Sequence, residues 1–194
     1  MAALSLRFRR SPKGRANFRA LMLEPLLLTA DGTLRAARYR EVSASVALLL
    51  EEQNGQRDWV AAMATVACEL HGAFAYYDWT GFYRAVKTDM LLIGPYQGGH
   101  GCLSLAFSRG VCGACARTKT TQLVRDVAAF PGHIACSNTT QSELVVPVLT
   151  PSGRLLAVID VDSNAPAAFT EVDARGLEAI AAELGRLFAE VERP

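Results

Sequence analysis

The sequence predicts an α+β domain built on a mainly antiparallel sheet. Two observations predict it. Apolar residues recur at helical spacing through residues 39–72 and again through 170–188, and between them the period falls to two, in short apolar runs broken by Gly, Pro and Ser. Helices, then a run of strands, then a helix is the pattern of that class. A chain of 194 residues that is 51% apolar suffices for one core of this kind. It holds no apolar run of ~18 residues, so a membrane-spanning helix is not expected.

Residues 1–38 lack sustained periodicity, apart from an apolar run at 21–28 interrupted by Pro25, and read as an N-terminal extension that is partly packed at best. The domain proper is expected over 39–194. Its first helix, 39–53, presents Val42, Val46, Leu49 and Leu50 and stops at Asn54-Gly55. The second, 57–72, presents Trp59, Met63, Val66, Ala67 and Leu70, with Cys68 expected as a buried free thiol. Strands follow at 80–86, 90–93 and 102–107, with Gly94-Pro95 and Gly98-Gly99 as breakers. A short helix at 111–119 and a segment at 122–126 lead into a loop through Phe130-Pro131-Gly132. Two further strands, 143–149 and 154–162, are joined by a hairpin turn at Pro151-Ser152-Gly153. The last helix opens with Thr170 and Asp173 in capping-box spacing, and Leu177, Ile180, Ala181, Leu184 and Phe188 form its apolar stripe.

Charge narrows the function. Residues 1–20 carry six basic side chains and no acid; with 20 basic and 19 acidic residues overall, the remainder holds 14 against 19, a net of −5. A mildly acidic body argues against a surface for the nucleic-acid backbone. The basic start is compatible with a mitochondrial targeting segment or with a solvated tail. Five cysteines, an odd number, and no secretory signal argue against a disulfide framework and for a reducing compartment, with the cytoplasm as the default.

Reactive side chains gather between residues 102 and 162. Cys112 and Cys115 form a CxxC, which suits a redox pair or half a zinc site, with His133 and Cys136 available to complete a metal set. Cys136 lies in a loop near His133 and Glu143, and His133 reads as an auxiliary, hydrogen-bonding loop residue. Asp160 and Asp162 alternate with Ile159 and Val161, so both carboxylates share one strand face. Their repulsion should raise at least one pKa and leave a group able to donate a proton near neutrality, with Glu143 heading the neighbouring strand. Trp79 offers an apolar or cation-binding wall. Phosphate-binding, dinucleotide, serine-hydrolase and zinc-protease motifs are absent.

Several runs carry a resemblance: Trp79-Thr80-Gly81-Phe82-Tyr83, Gly94-Pro95-Tyr96-Gln97-Gly98, Arg109-Gly110-Val111-Cys112-Gly113, Asp126-Val127, Phe130-Pro131-Gly132-His133-Ile134-Ala135-Cys136, Ser142-Glu143-Leu144-Val145-Val146-Pro147 and Asp160-Val161-Asp162-Ser163. Over residues ~40–190 the chain resembles the free methionine-(R)-sulfoxide reductases, a catalytic branch of the GAF-domain fold. That resemblance implies a GAF-like fold with a six-stranded antiparallel sheet flanked by helices, commonly as a homodimer. It implies that Cys136 is the nucleophile, Cys102 the resolving thiol and Cys112 the third cysteine. Glu143, Asp160 and Asp162 would hold the substrate amine and sulfoxide, with Trp79 and Tyr83 in the substrate wall. A sulfenic acid on Cys136 would condense with Cys102, and a thioredoxin-type dithiol would restore both thiols, with no cofactor or metal. Ser137 stands where an acid is expected after the nucleophile, the segment Gly98-Gly99-His100-Gly101 is unusually glycine-rich, and neither Cys115 nor the N-terminal extension has a counterpart. The competing class is a GAF module that senses a small ligand or redox state without turnover.

Overall fold

The computed structural model describes residues 24–51, 58–134 and 136–191. Six strands form one sheet: β1 (Trp79–Ala85), β2 (Met90–Gln97), β3 (Ser104–Ala106), β4 (Gln122–Val124), β5 (Ser142–Leu149) and β6 (Leu155–Ser163). Their order across the sheet is β3-β2-β1-β6-β5-β4, and every pairing is antiparallel. Among the described residues four α-helices accompany them: α1 (Gly32–Glu51), α2 (Trp59–Ala73), α3 (Gly110–Thr118) and α4 (Glu171–Leu187). No helix among the described residues is long and apolar enough to cross a membrane.

Period two divides the side chains of the central strands between two cores. Phe82, Leu144, Val146, Ile159 and Val161 join the stripes of α1, α2 and α4, including Met63, Val66, Leu70, Leu177 and Leu184. On the opposite face Tyr83, Val145 and Val158 meet Cys112, Cys115 and Val111 of α3. The second core is the smaller one, and it is where the strands turn polar side chains inward.

Local chemistry sets the ends of the elements. Thr170 accepts from the backbone of Val172, and Asp173 accepts from the Thr170 N–H at 2.8 Å, so α4 begins on the expected capping box. Helix α1 starts at Gly32, seven residues before the expected Tyr39. Asp31 caps it, accepting from the backbone N–H groups of Thr33 (2.8 Å) and Leu34 (3.0 Å). Its early turns escape a hydrophobicity pattern because the buried residue there is Arg35, held at 2.6 Å by Asp173. The expected boundary at residue 38 therefore falls inside a helix. Leu26 also pairs with Phe74 upstream of it. The basic segment 1–20 and the expected stop at Asn54-Gly55 lie outside the described residues.

Three further expectations change. Gly94-Pro95 does not break β2. Register shifts between Gly81↔Tyr96 and Tyr83↔Ile93, so Phe82 faces both residues in a bulge where proline's missing N–H costs no ladder bond. The segment expected as a strand from 102 to 107 is a strand only over Ser104–Ala106, with flanking backbone bonds from Ile93 to Leu103 and from Phe107 to Asp89, which leaves Cys102 in a loop. Cys68 is exposed rather than buried, because Trp59, Met63, Val66, Ala67 and Leu70 take the inward face of α2 and Cys68 lies off that stripe.

Candidate active site

The sheet register assembles the site. Asp162 on β6 stands opposite Trp79 of β1 on one side and Glu143 of β5 on the other. Two residues along, Asp160 pairs with Gly81 and Val145. Strand alternation turns Trp79, Tyr83, Glu143, Asp160 and Asp162 to one face, and all five line a single cleft. Helix α3 closes one wall with Cys112, and two loops supply His100 and Gly101, and His133, Ile134 and Cys136.

Glycine makes the aromatic wall possible. A Cβ at Gly81 would lie 2.5 Å from both the Trp79 ring and Tyr96 Cβ, so only glycine lets the indole fold back along its own strand. Trp79 stacks on Tyr96 (5.4 Å) and Tyr83 (5.8 Å), and its Nε1–H donates to the Gly99 carbonyl at 3.1 Å. This bond ties the glycine-rich loop to the wall, and at Gly101 a side chain would meet the Tyr83 hydroxyl at 3.0 Å.

Cys102 and Cys136 are joined in a disulfide with their Cα atoms 5.3 Å apart. It spans 34 residues of sequence, from the loop after β2 to the loop before β5. Both cysteines are half-buried. The pairing takes Cys136 out of the four-residue zinc set weighed above. Cys112 and Cys115 remain free, and both are buried on α3.

The acids are buried more deeply than solvated strand ends would be: Glu143 is 7% exposed and Asp160 5%. Asp160 is pushed up to about 7, chiefly by burial, with hydrogen bonds from neighbouring groups pulling the other way. Burial also drives Glu143 and Asp162 well above the ordinary carboxylate range, and the charge of Asp160 adds to both. Charge repulsion, the expected cause, is thus real but second to desolvation. Cys112 donates its S–H to Asp160 Oδ2 at 3.2 Å and lies 3.9 Å from Glu143 Oε1. Burial, then the neighbouring carboxylates, hold that thiol protonated. Tyr83 is likewise pushed up by burial and the charge of Asp160.

Among the described residues, two buried side-chain atoms lack a hydrogen-bond partner: His133 Nδ1 and Asp160 Oδ1. His133 was expected to be a hydrogen-bonding loop residue. Its Nδ1 instead stands 4.0 Å from Glu143 Oε2, beyond hydrogen-bond reach, and burial lowers its pKa so that it carries no charge to strengthen the pair. Both orphan atoms belong to residues lining the cleft, where a ligand's polar groups would satisfy them. Cys112, Glu143 and Asp160 also bring possible ligand atoms within 4.8 Å of one another. Burial favours the protonated form of each of the three.

All the sequence-predicted site residues except Cys102 line the cleft, and the disulfide ties Cys102 to one of them, Cys136. His100, Gly101, Ile134 and Thr140 were not anticipated as lining residues. Only the glycine run before Cys102 hinted at the loop that closes over the indole.

The GAF domain family matches residues 29–189. Among curated proteins, the free methionine-R-sulfoxide reductase of Saccharomyces cerevisiae is 40% identical over 134 residues, 66% of this chain and 74% of the yeast protein. The enzyme of the same name from Escherichia coli is 33% identical over 135 residues, 70% of this chain and 81% of its own. Among solved structures, the free methionine-R-sulfoxide reductase of Neisseria meningitidis in complex with its substrate superposes with a TM-score of 0.72 at 40% identity, over 84% of this chain and 94% of that one. The chain belongs to the GAF-domain family and, within it, to the free methionine-R-sulfoxide reductases, which are oxidoreductases.

Proposed function

We propose that the protein reduces free L-methionine-(R)-sulfoxide to L-methionine, with Cys136 as the attacking thiol and Cys102 as the resolving one. The observation that carries the reading is the Cys102–Cys136 disulfide, whose Cys136 lines one cleft with three carboxyl groups. A binding module would need the cleft but not two thiols poised to couple.

The proposed steps follow from the chemistry of these side chains and one external dithiol. A sulfoxide oxygen leaves only when protonated, and carboxyl groups with raised pKa values are proton donors near neutrality. The Cys136 thiolate attacks the sulfoxide sulfur and takes over its oxygen, releasing methionine and becoming a sulfenic acid. The Cys102 thiol then displaces that oxygen as water, forming the disulfide. Both sulfurs have been oxidised in place of the two-electron reduction of the sulfoxide. An external dithiol of thioredoxin type reduces the pair by exchange, at two half-buried cysteines. Glu143, Asp160 and Asp162 suit the ammonium of a free amino acid, Trp79 and Tyr83 face the methylthio end, and Cys112 contributes to the acid cluster. The same reading takes a homodimer as the assembly and a reducing compartment such as the cytoplasm as the setting.

The test compares free R, free S and peptide-bound sulfoxides with dithiothreitol as reductant. Turnover confined to the free R form, and lost in Cys136→Ser, supports the reading. Equal use of the peptide form, or undiminished turnover by Cys136→Ser, would refute it.

A further inference from the structure

Cys112 does not have the surroundings of a working redox thiol. It is 3% exposed, fixed on α3, and remains a free thiol while Cys102 pairs with Cys136. Its sulfur faces carboxylates, Asp160 Oδ2 at 3.2 Å and Glu143 Oε1 at 3.9 Å. Negative neighbours and burial disfavour a thiolate, the form that attacks sulfur. An S–H in this position does something else. It occupies one oxygen of Asp160 and leaves the other, Oδ1, buried without a partner in a residue that lines the cleft.

We propose that Cys112 is a positioning residue: its S–H holds Asp160 Oδ2, so that Oδ1 stays presented to the ammonium of a bound free amino acid. The proposal rests on the reduction proposed above, and it assigns Cys112 no part in thiol–disulfide exchange. A buried carboxylate free to rotate would satisfy itself against neighbours; one oxygen pinned from α3 fixes the rotamer and keeps the other for the ligand. The N-terminus of α3 is itself anchored, the Gly110 N–H donating to the Gly132 carbonyl at 3.0 Å, so the donor sits on a rigid element. Asp160 is faced by Cys112 and Cys115 of α3, Glu143 of β5, Asp162 of β6 and Tyr83 of β1, with His133 lining the same cleft; Cys112 and Glu143 both hydrogen-bond to it, and Cys112 is the donor that comes from α3.

The experiment compares Cys112→Ala and Cys112→Ser with the full-length wild type, using free methionine-(R)-sulfoxide and dithiothreitol. Losing a donor to a carboxylate should lower kcat/KM by about tenfold in the alanine variant, mainly through a higher KM. Because the S–H bond favours the charged form of Asp160, its loss should move the acid limb of the kcat/KM profile to higher pH. Serine, which keeps a donor, should recover most of the KM and return the limb towards its wild-type position. An alanine variant with wild-type KM and pH limb would overturn the proposal. So would a serine variant no better than alanine, or Cys112 appearing in the disulfide after one turnover. Loss of two thiols per sulfoxide in both variants keeps the Cys136–Cys102 reading intact whichever way KM falls; turnover by Cys136→Ser would remove that reading and this one together.

Discussion

At Asp160, burial and hydrogen bonding pull in opposite directions, and burial wins. A carboxyl whose folded pKa is raised binds its proton more tightly in the native than in the unfolded state. Its stabilising contribution is complete below the ordinary carboxylate range and is lost as pH rises through about 7. Glu143 and Asp162 are raised in the same direction and steepen the slope. Denaturant melts of the wild type should therefore show stability falling as pH rises from the carboxylate range to past neutrality, and Asp160→Asn should flatten that decline; an unchanged slope would contradict the direction assigned. Activity should respond the other way to such changes: Glu143→Gln or Asp160→Asn should lower kcat/KM by a factor on the order of 10², and near-normal rates in both would leave the acids structural. The residue types and their common face were legible in the sequence, since Asp160 and Asp162 alternate with apolar neighbours. The main cause of their shifts was not, because period two says which face a side chain takes and not how deeply the opposite wall covers it.

Among the elements, α1 and α4 are joined by a charge rather than only by apolar packing. Arg35 reaches Asp173 at 2.6 Å and the Ala168 and Leu28 carbonyls at 2.9 and 2.7 Å, while Tyr76 donates to the same carboxylate at 3.0 Å. Asp173 is fully buried. Arg35→Ala would strand it, and the expected loss is about 3–5 kcal/mol, read as a lower urea midpoint; a change below about 1 kcal/mol would place the pair among weak surface bridges. This joint also explains why the start of α1 was missed. A buried arginine reads as solvent-facing in any hydrophobicity pattern, and its partner lies 138 residues away. The end of β2 was hidden for a related reason, since Gly94-Pro95 signals a break unless a bulge on the partner register absorbs it. The final helix, with its capping box and clean stripe, was legible almost to the residue.

For the whole molecule, the disulfide couples redox state to stability. It closes a loop across a sequence separation of 34, for which chain entropy gives about 3.8 kcal/mol. The oxidised protein should therefore melt higher than the protein reduced by dithiothreitol, and equal melting temperatures would show that the loops are already held without the bond. The pairing itself came from family resemblance, not from spacing. Cys102 and Cys136 meet because β2 and β5 lie on opposite sides of the β1–β6 centre and send their flanking loops over the same cleft. The central claim is that these two thiols convert one sulfoxide into one disulfide. It is tested most directly by adding one equivalent of free methionine-(R)-sulfoxide to fully reduced protein without reductant, then counting thiols and mapping peptides by mass. The account predicts one methionine released, two thiols lost and a single cross-link between the Cys102 and Cys136 peptides. Sulfoxide left unreduced with every thiol intact, or a cross-link elsewhere, would contradict it.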